Sequence, residues 1–151
     1  MTGINELAAV VRAGLAEDER VARAASEGPW SVDSESYAET VYGHGSVEVV
    51  AGGRWGGEAS VFESTEDAVH IARHHPARVL ADVAGRRALV DALLAEPHAV
   101  QDDDGWYSCS QAGEDCWDSD RRGDPCDCGR DDRVRSYLQH LARPYQEDSR
   151  G

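Results

Sequence analysis

Four cysteines within twenty residues are the side chains with the clearest chemistry in this sequence. They are Cys109, Cys116, Cys126 and Cys128, in the spacing C-x6-C-x9-C-x-C. Four thiolates complete the tetrahedral coordination of Zn2+, and a site with four protein ligands is closed to water. The pattern therefore predicts a structural zinc site formed by these four cysteines.

The surrounding segment, residues 97–132, contains little apolar material that could fold around a core of its own. A bound metal can supply the missing folding energy in such a segment. Two alternatives stay open at this point: disulfides or free thiols, and an iron–sulfur cluster, which thiolates also ligate. Cys126 and Cys128 are too close in the chain to pair comfortably with each other.

Aromatic and acidic side chains flank the cysteines. Packing over the metal site is one interpretation of the aromatic residues, and an anchor for a protein partner is the other. The candidate partner-binding residues are Trp106, Tyr107, Trp117, Asp102, Asp103 and Asp104. The aspartate run lacks the alternating ligands and the terminal glutamate of a calcium loop, so we expect it to be solvated.

Two further groups of residues have weaker signals. His70 and His74 are four residues apart and can share one face of a helix, but no H-E-x-x-H motif is present, and a capping or surface role is expected. Arg73, Arg78 and the pair at 86–87 form the least acidic part of the chain. They either pair with aspartates of the cysteine region or form a small anion-binding patch.

The charge of the chain limits its partners. Its 151 residues include 29 acidic and 15 basic side chains, all of the latter arginine, for a formal net charge of -14. Duplex nucleic acid and anionic membranes attract basic surfaces, so neither is an expected partner. There is no apolar run of membrane-spanning length and no signal-peptide pattern, so we expect a cytoplasmic protein with reduced thiols.

Hydrophobic periodicity predicts an α+β fold. Helical spacing covers residues 4–25, with Thr2 as a possible cap, and residues 64–96, with a break at Pro76. Between them, residues 30–63 predict a small antiparallel meander with strands at 37–42, 46–50 and 59–63, and with a possible fourth strand at Trp30 and Val32. Residues 133–142 predict a short last helix that Pro144 closes.

The expected architecture is thus an N-terminal helix, a small antiparallel meander, a long broken helix, and a zinc-stapled C-terminal loop leading into a short helix. We assign residues 1–97 to the helix and sheet core, 98–145 to a metal-held module with the terminal helix, and 146–151 to a flexible tail.

Several stretches of the chain resemble a known family. They are the P-C-D-C-G-R-D run at 125–131, the tryptophan-led stretch at 106–112, the His/Arg-rich helix at 70–80 and the opening helix around 18–23. Together they resemble a family of short uncharacterised proteins, a domain of unknown function, from high-GC Gram-positive bacteria and their phages. The resemblance implies a four-cysteine site, a phage or mobile-element origin and the host cytoplasm, but no activity and nothing for residues 37–63.

No Ser/His/Asp arrangement, P-loop or dinucleotide motif is present, so the sequence does not predict an enzyme. The expected function is that of a small acidic zinc-binding protein that acts through protein–protein interaction with a host or phage protein. One form of this hypothesis is an acidic decoy of a nucleic-acid-binding partner. The alternatives are a zinc-dependent nucleic-acid-binding regulator and a hydrolase that uses Asp and His residues.

Overall fold

A computed structural model describes residues 3–32, 40–50, 65–101 and 107–147 of the chain. The predicted α+β class is confirmed, with four helices and two small antiparallel sheets in these ranges. The expected strand at 59–63, the Thr2 cap and the acidic run with Trp106 lie outside the described residues.

The helices begin and end close to the positions that periodicity predicts. They are α1 (Ile4–Ala24), α2 (Thr65–Arg73), α3 (Pro76–Ala95) and α4 (Arg130–Glu147). Pro76 is the first residue of α3, where its fixed φ fits the helix and its missing amide donor costs nothing. The break between α2 and α3 therefore falls where the sequence places it.

The last helix is longer than expected. It starts at Arg130 rather than at residue 133, and it runs through Pro144, which was expected to close it, to Glu147. Gln146 and Glu147 consequently belong to α4 and not to a tail. Pro144 removes one i→i−4 hydrogen bond from the final turn, and only three helical residues follow it. Tyr145 packs so closely on Gly14 of α1 that a Cβ at Gly14 would overlap its ring.

The first sheet is the expected antiparallel meander in the order β1 (Ser31–Val32), β2 (Val41–Tyr42) and β3 (Glu48–Val50). A 3-10 turn at His44–Ser46 connects β2 and β3, and Gly45 there has a φ of 68°. Val41 of this sheet is fully buried against Ala68 and Ala72 of α2. Apolar packing of one helix on a short sheet thus holds this region together.

The second sheet is a two-stranded hairpin that the sequence analysis missed. β4 (Val100–Gln101) pairs antiparallel with β5 (Tyr107–Ser108), with Val100 opposite Ser108. Two residues per strand are too few for a period-2 pattern to be recognisable. The hairpin matters because His98 and Cys109 lie just outside its two ends, where the pairing places them side by side.

The chain divides into two compact units. The first comprises Met1–Gly14 and Arg87–Gly151, and the second comprises Leu15–Arg86. Residues 98–145, the expected metal-held module, fall within the first unit. Its fully buried side chains include Val11, Val90, Cys109, Cys116, Val134 and Leu138. Within the described ranges, no helix has the length and apolarity needed to cross a membrane.

Candidate metal centre

One histidine and three cysteines converge in the first unit. The ligand atoms of His98, Cys109, Cys126 and Cys128 all lie within 4.8 Å of one another. Nδ1 of His98 is 3.5 Å from the sulfurs of Cys109 and Cys126 and 3.7 Å from that of Cys128. The Cys126 sulfur is 3.9 Å from that of Cys109 and 3.6 Å from that of Cys128.

These spacings fit a single metal ion. With Zn–S bonds of about 2.3 Å and Zn–N bonds of about 2.0–2.1 Å, a regular tetrahedron has S···S edges of about 3.8 Å and S···N edges of about 3.5–3.6 Å. The two S···S distances of 3.6 and 3.9 Å and the three S···N distances of 3.5 to 3.7 Å lie close to those edges. Since the thiols are free, no S–S bond closes the site.

Cys116 does not belong to this group. Its thiol is fully buried elsewhere and donates to the backbone oxygen of Asp118 at 3.3 Å. The arrangement thus differs from the four-cysteine set that the spacing suggests, since His98 takes the fourth position. A 3-10 turn at Gly113–Asp115 immediately precedes Cys116, and the Cys116 thiol contacts the backbone of its own loop at Asp118.

The hairpin positions two of the four ligands. His98 precedes β4 and Cys109 follows β5, so the antiparallel pairing brings the two residues together across the sheet end. The amide of Cys109 donates to the carbonyl of Ala99 at 3.0 Å, which extends the pairing by one hydrogen bond. The side-chain position of each ligand therefore depends on backbone register rather than on apolar packing.

The other two ligands lie in the turn before α4, and polar side chains fix that turn. The hydroxyl of Ser110, which is 1% exposed, is 2.8 Å from the carbonyl of Pro125 and 3.1 Å from that of Asp124. Asp127, between the two cysteines, accepts from the amide of Ser110 at 3.3 Å and from the hydroxyl of Tyr107 at 3.2 Å. It also pairs with Arg121.

Arg130 connects the ligand turn to the end of α3. Its guanidinium donates to the carbonyls of Leu94 at 2.8 Å and Glu96 at 3.0 Å, and to that of Leu93 at 3.3 Å. These are carbonyls at or just past the C-terminus of a helix, which lack intrahelical donors, so the cation caps α3. Gly129, with a φ of 75°, allows the chain to turn from Cys128 into α4.

The two thiols of the C-D-C turn differ in acidity. Burial alone would raise the pKa of Cys128, but backbone hydrogen bonds with Ala99 and Arg130, together with His98, outweigh it and lower the pKa to about 6. Burial raises the pKa of Cys126 above its ordinary value. Cys128 is accordingly a thiolate at neutral pH, the form in which cysteine binds metals.

The carboxylates beside the ligands are also organised. A hydrogen bond from Cys109, followed by that from Arg121, lowers the pKa of Asp127 to about 2, against partial burial. Burial first, and then the charge of Asp127, raises the pKa of Tyr107 to about 12. Asp131 lies with its Oδ1 3.9 Å from Nε2 of His98, on the side of the ring away from the sulfurs. That separation is beyond hydrogen-bond range, and the same oxygen accepts from the Arg130 guanidinium at 2.9 Å.

The predicted partner-binding residues have different surroundings. Trp117 is 51% exposed, whereas Tyr107 is half-buried and its hydroxyl is engaged by Asp127. Asp102, Asp103, Asp104 and Trp106 lie outside the described residues. We call residues 109–129 the cysteine loop. Five of its carboxylates are exposed and take part in no ion pair among the described residues: Glu114, Asp115, Asp118, Asp120 and Asp124.

His98 was missed by the sequence analysis, although a usable signal was present. Three cysteines with one histidine form as ordinary a structural zinc site as four cysteines do, and His98 lies only eleven residues before the first cysteine. The histidines that drew attention, His70 and His74, instead contact each other. Nδ1 of His74 is 2.9 Å from the carbonyl of His70, and the ring centroids are 4.4 Å apart.

A family model matches residues 4–148 of the chain, and its description is a family of unknown function, DUF6221. Searches of curated proteins and of solved structures gave no significant match. The match spans nearly the whole sequence and includes all four residues of the metal centre. The chain therefore belongs to the DUF6221 family of unknown function.

Proposed function

We propose that this protein is a small, non-catalytic zinc protein in which one Zn2+ is bound by His98, Cys109, Cys126 and Cys128. The observation that carries the proposal is the agreement of five of the six inter-ligand distances, 3.5 to 3.9 Å, with the edges of a zinc tetrahedron. The sixth, between the sulfurs of Cys109 and Cys128, is within 4.8 Å. A cluster of several irons needs more room between its thiolates than these distances leave.

The proposed role of the metal is structural. Four protein ligands fill a tetrahedral Zn2+, whereas catalytic zinc sites keep a position open for water or substrate. Two of the ligands follow or precede a two-stranded hairpin that is too short to be stable alone. Zinc would join this hairpin to the start of α4. The need for reduced thiols favours a cytoplasmic setting.

Metal analysis of matched cysteine variants tests this assignment. Protein purified without added metal should contain about one zinc per chain. Cys109 and Cys116 are both fully buried, so Cys109→Ser and Cys116→Ser perturb similar environments. We expect Cys109→Ser to lose zinc and Cys116→Ser to retain it.

A His98→Cys variant provides the second arm, because it converts the site into four thiolates and should still bind one zinc. Loss of zinc in Cys116→Ser with retention in His98→Ala would instead support the four-cysteine site. Native protein with four titratable thiols and no metal would refute the zinc proposal, and iron with sulfide would indicate a cluster.

We further propose that the protein acts by binding another protein through the cysteine loop. Elsewhere in the described ranges, several exposed carboxylates pair with arginines, as in Glu17–Arg20, Asp82–Arg86 and Asp91–Arg12. The five carboxylates of the cysteine loop without an ion pair lie within seven residues of the exposed Trp117 in the sequence. Unpaired negative charge beside an exposed aromatic side chain favours a basic partner, whose cations can pair with the acids and stack on the indole.

A basic nucleic-acid-binding protein of the host or the phage is the partner that this chemistry favours, with the loop acting as an acidic decoy. Immobilised native protein should capture a basic protein from host lysate, and capture should weaken with salt. Trp117→Ala should reduce capture, whereas Tyr137→Ala should not, although Tyr137 is equally exposed at 56%. Salt-insensitive capture of an acidic protein would contradict the decoy role, and a DNA shift at low salt would favour the nucleic-acid regulator.

A further inference from the structure

The second unit contains an open cavity of about 730 Å³ that the zinc site does not use. Its described lining comes from β1, from the end of α2 and from the start of α3. Two arginines and one histidine lie in that lining, and no acidic residue does: Trp30, Ser31, Val32, Val69, Ala72, Arg73, His75, Ala77 and Arg78. Such a lining is unusual in a chain where acids outnumber bases 29 to 15.

The two arginines of the cavity, Arg73 and Arg78, are available for a ligand. Both are exposed, and neither takes part in an ion pair among the described residues. By contrast, Arg20 and Arg23 of the same unit pair with glutamates at 2.6 and 2.5 Å. A guanidinium left unpaired in an acidic protein is a donor fork that suits carboxylate or phosphate oxygens.

Other groups of the lining have the same preference. His75 has a buried Nδ1 with no hydrogen-bond partner among the described residues, so the fold does not use up the hydrogen-bonding capacity of its ring. Ala77 lies in the first turn of α3, where the helix dipole is positive, while the carbonyl of His75 accepts from the amides of Arg78 and Val79. The dipole of α3 and the two guanidinium groups therefore favour negative charge at the cavity, whereas the buried Nδ1 of His75 lies against Gly28, outside the described lining.

Trp30 gives the cavity an apolar wall. The nitrogen of its indole donates to the carbonyl of Ser26 at 3.0 Å, which fixes the ring. The side chain packs on the buried Val41, Ala68 and Ala72, which we call the Val41 cluster. Ligand sites combine apolar surface with a few convergent polar groups in volumes of about 300–1,000 Å³. The cavity fits this description because Trp30 provides the apolar surface and Arg73 and Arg78 provide the polar groups.

We propose that this cavity binds a small organic oxyanion, a phosphate or carboxylate carried on an aromatic group, with the oxyanion at Arg73 and Arg78 and the aromatic group against Trp30. All of these residues lie in the second unit, whereas the proposed zinc ligands lie in the first. The oxyanion proposal therefore does not depend on the zinc proposal, and either can be refuted without the other.

Calorimetric titration of the full-length protein at fixed ionic strength tests the site with four probes. They are inorganic phosphate, a nucleoside monophosphate, the matching neutral nucleoside and benzoate. We expect saturable binding of the nucleoside monophosphate or of benzoate, weaker binding of inorganic phosphate, and none of the neutral nucleoside. Which aromatic oxyanion binds more tightly distinguishes phosphate from carboxylate chemistry.

A pair of double variants separates a local site from the overall charge. Arg73→Gln/Arg78→Gln should weaken binding by at least about tenfold, because each lost charged hydrogen bond is worth about a factor of ten or more. Arg20→Gln/Arg23→Gln changes the net charge equally in the same unit and should leave affinity unchanged. No saturable binding of any oxyanion, or equal loss in both double variants, would overturn the proposal.

Discussion

The cysteine loop and the Val41 cluster hold short, irregular chain segments in place by opposite means. In the cysteine loop the buried side chains are thiols and a hydroxyl, those of Cys109, Cys116 and Ser110, and the contacts are directional. In the other region Val41 is buried against Ala68 and Ala72, and water exclusion provides the stabilisation. The cysteine loop depends on the geometry of ligands and hydrogen bonds, and the Val41 cluster depends on the apolar volume that it buries.

This difference determines what each region tolerates. A polar loop fixed by ligands loses its order when one coordinating atom is removed, because nothing apolar remains to hold it. An apolar cluster loses stability in proportion to the volume removed and keeps its topology. The two regions are therefore expected to respond to different perturbations, and the following measurements test that separation in order of expected effect.

Removal of the proposed metal should have the largest effect, and should act on the cysteine loop alone. Structural zinc contributes an apparent ~10–16 kcal/mol in zinc-finger peptides. We expect a strong chelator to raise amide hydrogen exchange in residues 109–129 by roughly 100-fold or more, while residues 41–50 remain protected. Equal deprotection of both regions would show that the two are not separate in their stabilisation.

Val41→Ala is the reciprocal change. Val41 is 0% exposed, so the variant removes buried apolar volume and should lower the free energy of unfolding by about 2–3 kcal/mol. Denaturant titration measures the loss, and metal analysis should give the zinc content of the native protein. A simultaneous loss of zinc would contradict the distinction between the two regions.

Gly14→Ala tests close packing in the first unit. A Cβ at Gly14 would overlap Cδ1 of Tyr145, so the ring must move, at a cost of about 1–3 kcal/mol. Gly85, within α3, has nothing within 4 Å of its Cβ position and is the matched control. Gly85→Ala should stabilise the protein by about 0.5–1 kcal/mol, since alanine is the better helix former. Destabilisation of similar size in both variants would show that the contact with Tyr145 is not the cause of the Gly14→Ala effect.

Arg130→Gln should have a smaller effect that links the loop to α3. It removes the cap on the carbonyls of Leu94 and Glu96, and we expect a loss of about 1–2 kcal/mol in thermal unfolding. Arg135→Gln removes only the ion pair with Asp132, whose side chain is 83% exposed, and should change the stability very little. Equal effects would mean that the cap on α3 contributes nothing beyond a surface charge.

The sequence predicted three residues of the metal group because thiols close together in a polar segment have few other uses. It did not predict His98, because a single histidine has no periodicity and its nearness to the sulfurs depends on the hairpin register. It assigned Cys116 to the set by counting, whereas the 3-10 turn before it determines where its thiol lies. The grouping of thiols was thus predictable from residue types, whereas the position of His98 beside three of them was not predicted.

The two prolines show the same limit in the fold. Pro76 was predicted to break the helical segment 64–96, and it is the first residue of α3, a position that local stereochemistry favours for proline. Pro144 was predicted to end one, yet α4 continues to Glu147. What sustains that last turn includes the contact of Tyr145 with Gly14, a tertiary contact between residues far apart in sequence. Local rules predicted elements well where no distant partner was involved.

The cap that Arg130 provides fixes the length of the last part of α3. One residue inserted between Arg87 and Leu93 would rotate the final turn of the helix by about 100° and move it by about 1.5 Å. The carbonyls of Leu93 and Leu94 would then turn away from the guanidinium, and the path from Glu96 to the proposed metal ligand His98 would shift with them. Natural insertions and deletions within these turns should therefore be strongly selected against, and the number of residues between Arg87 and the candidate metal centre should stay constant.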